Sequence, residues 1–419
     1  MAAPLRAAPL HDAPLHQRRR GAAPHHRRNG GCRRGAAVTG PASPGSGGFD
    51  AWATEQLAAL RAADRWREVR TFDARGPVGR LGDREVVSFA SNDYLGLSFH
   101  PAVIAAAHVA LDRWGAGATA SRLIVGSRPV HAELEAELCD WKQTERALVF
   151  PTGYAANLGV LSSLGGQDCL IVSDELNHAS IIDGCRLSRS PIAVARHGDI
   201  DDIDRLLSET SLPRRIVVVD AVFSMDGDEV DVVALGECCA RRGALLVIDE
   251  AHAVLGPSLA PLAGFDGLRV LRVVTLSKAL GTVGGAVCGP GPFIDLLVNR
   301  ARPFIFTTGP APADSAAALE AIRITRGTEG DALVARLADL VDRLRSGHRS
   351  PIVPIIAGTE AEALGAAEAL LEQGLLVPAI RPPTVPPGTS RLRVALSAAH
   401  TDDMLGRLLA ALAALGLRP

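Results

Sequence analysis

The chain has 419 residues, enough for two or three domains or for one large domain with a smaller satellite. Apolar residues make up 47% of it, which supports a substantial core, and no apolar run reaches the roughly eighteen residues that span a bilayer. The net charge of −2 conceals an asymmetry: residues 1–48 hold eight arginines and one acid, Asp12, so the remainder has 36 basic against 45 acidic residues, a balance of −9 that excludes a body built to coat nucleic acid or an anionic membrane.

Residues 1–48 are rich in Ala, Pro, Arg, His and Gly, with an APL triplet recurring around Pro4, Pro9 and Pro14. Such a segment buries too little apolar surface to offset its ordering entropy, so disorder is expected; an arginine-rich, acid-poor targeting peptide is the other reading. From Phe49, AWATEQLAALRAADRWREV has helical spacing and leads into EVVSFASNDYLGLS, a short strand and a turn. An alternation follows to about residue 290, in which the β-branched runs RALVF, CLIVS, PIAVA, RRIVVVD, ALLVIDE and RVVTLS are separated by helical or loop stretches. Strands apolar on both faces, each followed by a crossover, predict a mostly parallel sheet covered by helices. GGAVCGP reads as one more closely packed strand. After Pro310 come long Ala/Leu helices, one strand near Pro354–Ala357, a Pro-rich loop and a closing helix. The expected organisation is an extension (1–48), an N-terminal helix and strand (49–95), a large α/β domain (96–300) and a smaller α+β domain (301–419).

Seven cysteines, scattered and without a CxxC pair, predict reduced and mostly buried thiols in a cytoplasmic protein. The lysine count says more. Of 44 basic residues only Lys142 and Lys278 are lysines. Arginine stays protonated near pH 7 and forms no imine, so a lysine retained in so arginine-rich a chain asks for a reason. Lys142, in ELCDWKQTERAL, reads as a solvated helix residue. Lys278, in RVVTLSKALG, lies at the mouth of an apolar strand.

Ligands of open α/β sheets bind outside the carboxyl ends of the strands. The polar residues at those ends here form a set: Gly153 and Tyr154 after RALVF, His178 after CLIVS, Ser224 after RRIVVVD, Asp249 and His252 after ALLVI, and Thr275 and Lys278 after RVV. Each suits a pyridoxal phosphate site. Gly153 and the helix behind it suit a phosphate, and Ser224 and Thr275 suit the same phosphate or the ring hydroxyl. Asp249 suits the pyridinium nitrogen, His178 the ring face, His252 the phenolic oxygen, and Lys278 an imine and a later proton transfer. Taken singly each has an ordinary reading: a structural histidine, a helix cap, a turn. Their joint placement carries the inference. Glycine-rich nucleotide loops, a serine elbow and Cys/His metal spacings are absent from the sequence.

SNDYLGL (Ser91–Leu97), LNHAS (Leu176–Ser180), VFSMDGD (Val222–Asp228), IDEAH (Ile248–His252) and TLSKALG (Thr275–Gly281) resemble the α-oxoamine synthases, fold-type I pyridoxal enzymes. AIRPPTVPPGTSRLRVALSAAH (Ala379–His400) is similar to the biotin-pathway branch of that family. The resemblance runs from about residue 50 to the C-terminus. It implies an α/β fold with a large, mostly parallel sheet domain and a smaller α+β domain. It further implies a homodimer with sites at the subunit interface, to which TTGPAP (Thr307–Pro312) contributes, and condensation of L-alanine with a pimeloyl thioester of coenzyme A or acyl carrier protein. In this chain it assigns catalysis to Lys278, His178 and Asp249, the amino-acid carboxylate to Arg393, and substrate contacts to Asn92, Thr384 and Arg67, the last for the distal pimeloyl carboxylate. Glycine C-acetyltransferase, 5-aminolevulinate synthase and serine palmitoyltransferase share the core residues, so another acyl or amino-acid substrate stays open, as does a non-catalytic subunit. Two departures are Ala221, where glycine is frequent, and Arg122 in the loop Gly117–Gly126.

Overall fold

The computed structural model describes residues 47–63 and 65–419. The extension expected at 1–48 lies, up to residue 46, outside the described residues. Ala59–Pro419 form one compact unit, from which the described residues 47–58 are separate. The first helix is Gly47–Ala62. The helical spacing read through Val69 does not continue that far, because residues 65–71 carry no regular structure.

Three strands, β1 (Phe72–Arg75), β2 (Val78–Leu81) and β3 (Arg84–Ser88), form an antiparallel meander. The main sheet takes β4 (Arg146–Phe150), β5 (Cys169–Asp174), β6 (Ile192–Ala195), β7 (Arg214–Asp220), β8 (Leu245–Asp249), β9 (Arg269–Thr275) and β10 (Gly285–Gly289) in the order β4-β10-β9-β8-β7-β5-β6. The strands β6, β5, β7, β8 and β9 are parallel, and β10 runs antiparallel to β9 and β4. Every β-branched run of the sequence is a strand of this sheet. The reason is visible in β7: Ile216 and Val218 pack into one core, Val217 and Val219 into the other, all buried. Each such side chain contributes about 1.5–3 kcal/mol by leaving water, which a surface strand would forgo on one face. Because the strands are parallel, Asp174, Asp220, Asp249 and Thr275 end on the same edge, and Asp220 pairs in register with Asp249.

Towards the C-terminus, β11 (Ile352–Gly358), β12 (Leu375–Leu376), β13 (Ala379–Ile380) and β14 (Ser390–Ala395) follow. The central strand of the sheet β11-β14-β13 is β14, while β12 pairs with β3. The sequence reading has no strand at 390–395. There the alternating residues are Arg391 and Arg393, and both are buried, only 5% and 6% exposed, so a polar alternation hides a strand buried on both faces.

A second correction concerns Lys142. It is buried, with Nζ 2.9 Å from Glu250 Oε2 and over the Trp141 ring at 3.8 Å. Arg272 grips the same carboxylate at 2.5 and 2.8 Å and donates to the Lys142 carbonyl. Its surface spacing misled because the charge it meets comes from β8, over a hundred residues away. Among the described residues the six cysteines are free.

Candidate active site

Lys278 follows β9 in a tight turn closed by Gly281 N–H to the Lys278 carbonyl and by Leu276 N–H to Gly284. Its side chain enters a cavity of about 220 Å3 lined by residues from the ends of β4, β5, β7, β8 and β9, with Gly153, Tyr154, Asn157, His178, Asp249 and Thr275 among them. Burial disfavours the ammonium, and although Asp249 and Asp220 oppose it, the Lys278 pKa falls to about 8. A useful fraction of free amine is therefore present near neutral pH.

A hydrogen-bonded row runs from that amine. Lys278 Nζ lies 2.6 Å from His252 Nε2, and His252 Nδ1 lies 2.6 Å from the Tyr94 hydroxyl. Tyr94 is also 3.1 Å from Asn92 Oδ1, which accepts from Arg393 Nη2 at 3.2 Å. Burial holds the Tyr94 pKa up at about 12 and pushes His252 well below its ordinary value, so both are neutral. One proton on the imidazole and one on the phenol allow two proton orders along the row.

A second row joins Asp249 to His178. Asp249 Oδ1 accepts from Ala251 N–H at 2.9 Å, and Oδ2 accepts from Asn157 Nδ2 at 2.6 Å. The other Asn157 N–H reaches Ser180 Oγ at 2.9 Å, and Ser180 Oγ lies 2.8 Å from His178 Nδ1. Because Nδ1 also accepts from Ser180 N–H at 3.2 Å, it is the bare nitrogen and Nε2 carries the proton. Burial, with Lys278 nearby, lowers the His178 pKa, which keeps the ring neutral. Asp220 Oδ2 accepts from His178 N–H at 2.8 Å; burial first, then the Asp249 charge, raise the Asp220 pKa well above the carboxylate range.

The end of the cavity at the N-terminus of the helix Gly153–Leu164 is built by close packing. Thr152 caps the helix Gly153–Leu164, accepting from Ala155 N–H. A Cβ on Gly153 would sit 3.3 Å from Thr275 Cβ, and one on Gly285 would sit 2.4 Å from Gly153 N. Backbone N–H groups, Thr275 and Ser277 (Oγ1 to Oγ, 2.8 Å) thus share one cradle.

Beyond this cavity lies a larger one of about 610 Å3, lined by Arg65, Leu176, Phe223, Met225, Thr384 and Arg391 among others. Arg393, buried, donates Nε to the Ser224 carbonyl at 2.6 Å. Arg391 pairs with Asp226.

Of the residues singled out in sequence, Gly153, Tyr154, His178, Asp249, His252, Thr275 and Lys278 line the smaller cavity together. Asn92 and Arg393 join it through Tyr94, and Thr384 lines the larger cavity. Ser224 does not line the smaller cavity; its carbonyl holds Arg393 instead. Arg67 is exposed and lines neither cavity, whereas Arg65 lines the larger one. Arg122, at the departure noted above, forms a fork on Glu135 at 3.0 and 3.2 Å. Sequence reasoning passed over Tyr94, Asn157, Ser180 and Asp220. Asn157 is one helical turn after Gly153, and Tyr94 sits inside the SNDYLGL motif, so both carried a signal.

Pyridoxal phosphate fits this residue set: an amine, a carboxylate with a fixed donor, an imidazole above, and a glycine cradle that a side chain would fill.

Residues 84–412 match the aminotransferase class I and II family. The chain is 49% identical to the 8-amino-7-oxononanoate synthase of Anaeromyxobacter dehalogenans (strain 2CP-1) over 377 residues, 87% of this chain and 95% of the relative. It is 46% identical over 378 residues to the enzyme of that name from Methylobacterium sp. (strain 4-46), covering 88% and 97%. Among solved structures it is similar to the serine palmitoyltransferase of S. paucimobilis with a bound pyridoxal phosphate–myriocin aldimine, at 31% identity and a TM-score of 0.79, covering 88% of this chain and 98% of that one.

Proposed function

The chain belongs to the aminotransferase class I and II family, alongside the 8-amino-7-oxononanoate synthases, and from that premise we propose that it condenses L-alanine with a pimeloyl thioester in biotin biosynthesis, as a pyridoxal-phosphate acyltransferase. The observation that carries this reading is a half-buried lysine amine set among Asp249, His178 and His252, one row of hydrogen bonds away from a buried arginine. The cofactor, when bound, supplies an electron sink for negative charge at the alanine Cα.

This chain's residues do the rest. Lys278 Nζ anchors the cofactor and then, as a free amine, removes the proton from alanine Cα. Asp249, held by Asn157 and Ala251, would pair with the pyridine nitrogen, and Tyr154, Thr275 and the N–H groups at Gly153 would hold the phosphate. His178, neutral with its proton on Nε2, would stack on the ring and donate to the substrate carbonyl. Arg393 presents its fork to the alanine carboxylate, with Asn92 beside it. His252 would hydrogen-bond the phenolic oxygen, and Ser224 acts through the carbonyl that orients Arg393.

A carbon–carbon bond forms between alanine Cα and the thioester carbonyl carbon as the carbon–sulfur bond breaks and the thiolate leaves, to take its proton from water. The carboxylate is then lost as carbon dioxide, and Lys278 returns a proton to Cα. The larger cavity takes the acyl chain against Thr384, Phe223 and Met225. Two arginines line it, and with Arg391 paired to Asp226, Arg65 is the one that takes the distal carboxylate; Arg67 lies two residues on at the surface. The thioester is carried by coenzyme A or acyl carrier protein.

Two copies assemble as a homodimer in which Thr307–Pro312 reaches the neighbouring site; Phe306 beside it is 70% exposed. Among the described residues no helix is long and apolar enough to cross a membrane, and the unbridged thiols favour the cytoplasm.

Turnover of alanine, glycine and serine against pimeloyl-, acetyl-, succinyl- and palmitoyl-coenzyme A tests the reading. Alanine with the pimeloyl thioester is the expected pair. Preference for serine and the palmitoyl thioester would support instead the activity of the serine palmitoyltransferase that the fold resembles.

A further inference from the structure

Away from the lysine, one histidine ties two loop segments together. His197 follows β6, and its ring stands between two carboxylates. Nδ1 lies 3.0 and 3.2 Å from the oxygens of Asp174, and Nε2 lies 2.8 Å from Asp228 Oδ2. A neutral imidazole would turn a bare lone pair on one of them, so both contacts are attractive only for the imidazolium. Hydrogen bonds to Asp174 and then Asp228 raise the His197 pKa to about 10, against the effect of burial. The backbone repeats the link: His197 N–H donates to Glu175 Oε1 and Gly198 N–H to Asp174 Oδ2, each at 2.9 Å. The ring also meets Phe223 edge-on, with centroids 4.4 Å apart and planes at 88°.

The two partners belong to segments that wall the larger cavity. Asp174 ends β5, and its Oδ1 takes Leu176 N–H at 2.8 Å. Glu175, Leu176 and Asn177 line the cavity, and His178 comes next in the chain. Asp228 closes the turn 222–228, its carbonyl accepting from Phe223 N–H at 3.0 Å. Phe223, Met225 and Asp226 of that turn line the cavity as well, and its Ser224 carbonyl holds Arg393. Without a cation between them, Asp174 and Asp228 would repel across the junction.

Resting on the reading of that cavity as the acyl pocket, we propose that His197 is a positioning residue for the thioester, an imidazolium that locks segment 174–178 to turn 222–228 and thereby fixes the shape of the pocket. It touches no reacting atom. It acts through Phe223, Leu176 and their neighbours.

The test compares the full-length, pyridoxal-loaded chain with its His197→Gln and Asp228→Asn variants, the second weakening only one arm of the clamp. Affinity for pimeloyl-coenzyme A is read by calorimetry without alanine, and alanine affinity from the change in cofactor absorbance. Both variants should bind the thioester more weakly, by about tenfold for His197→Gln, the equivalent of about 1.4 kcal/mol. Alanine affinity and kcat should fall by distinctly less, because Arg393 keeps its Asn92 contact and His178 its bonds to Asp220 and Ser180. If His197→Gln does not fold, the same selective loss in Asp228→Asn supports the clamp. Unchanged thioester affinity, or equal losses for alanine and thioester, would overturn it. Should the parent itself prefer a succinyl or palmitoyl thioester, the pimeloyl reading falls on its own. The clamp is then upheld or overturned by the same comparison on the preferred thioester.

Discussion

Lys278 Nζ lies 2.6 Å from His252 Nε2, and that contact is the first link of a row that ends at Arg393. The amine and the guanidinium to which the proposed function gives the proton transfer and the substrate carboxylate are therefore joined by one row of contacts. Tyr94 is the middle link, and its hydroxyl serves His252 and Asn92 at once.

Tyr94→Phe should leave His252 Nδ1 buried without a partner. A cost of about 1–3 kcal/mol in stability is expected, the range for an unsatisfied buried polar group. Denaturant unfolding measures it. The pH titration of the cofactor absorbance should shift as well, because the His252 proton is no longer fixed by a neighbour.

Arg393 should show its role in alanine binding. Its replacement by Gln should raise the KM for alanine by about 10- to 100-fold, the equivalent of one or two charge-assisted hydrogen bonds. Arg393→Lys should recover little of this, since lysine lacks the planar fork and cannot hold the Ser224 carbonyl and a carboxylate together. Steady-state kinetics with alanine varied decides it.

Arg65 and Arg67 separate cleanly. Both are exposed, but only Arg65 lines the larger cavity, so Arg65→Gln should weaken use of the pimeloyl thioester while Arg67→Gln leaves it alone. The reverse order would place the acyl carboxylate away from this cavity.

The buried triad of Lys142, Glu250 and Arg272 gives a pH prediction. Burial works against the Glu250 charge, but Lys142 and Arg272 together hold its pKa down at about 2, below the ordinary 4.5. A carboxyl whose folded pKa is depressed contributes stability above its unfolded pKa and loses it as pH falls through the folded value. The contribution should thus be full above pH 4.5 and fade towards pH 2. Lys142→Met should cost about 3 kcal/mol at neutral pH, with the difference from the parent shrinking in acid. Urea unfolding at several pH values tests both statements.

Much of the fold was legible because the main sheet is made of short, continuously apolar runs rich in β-branched residues, a pattern that survives burial on both faces. The strand at 390–395 was not, because two of its buried residues are arginines, which break both the apolar run and the apolar alternation. The strand ends named the lysine, aspartate and histidines that line one cavity together. What they could not name was the wiring: Asn157, Ser180 and Tyr94 act through contacts with residues far away in the chain, and Ser224 works through its carbonyl, which no side-chain identity reveals. Lys142 was misread for the same reason, since its partner Glu250 is brought in only by the sheet.

In the proposed function one particular amine, Lys278 Nζ, carries the cofactor, and a chain with only two lysines makes this direct to test. The pyridoxal-loaded protein is reduced with borohydride, digested, and its peptides weighed. A pyridoxyl group is expected on the peptide holding Lys278, and in Lys278→Ala neither that label nor turnover. A label on Lys142, or condensation persisting in Lys278→Ala, would contradict it.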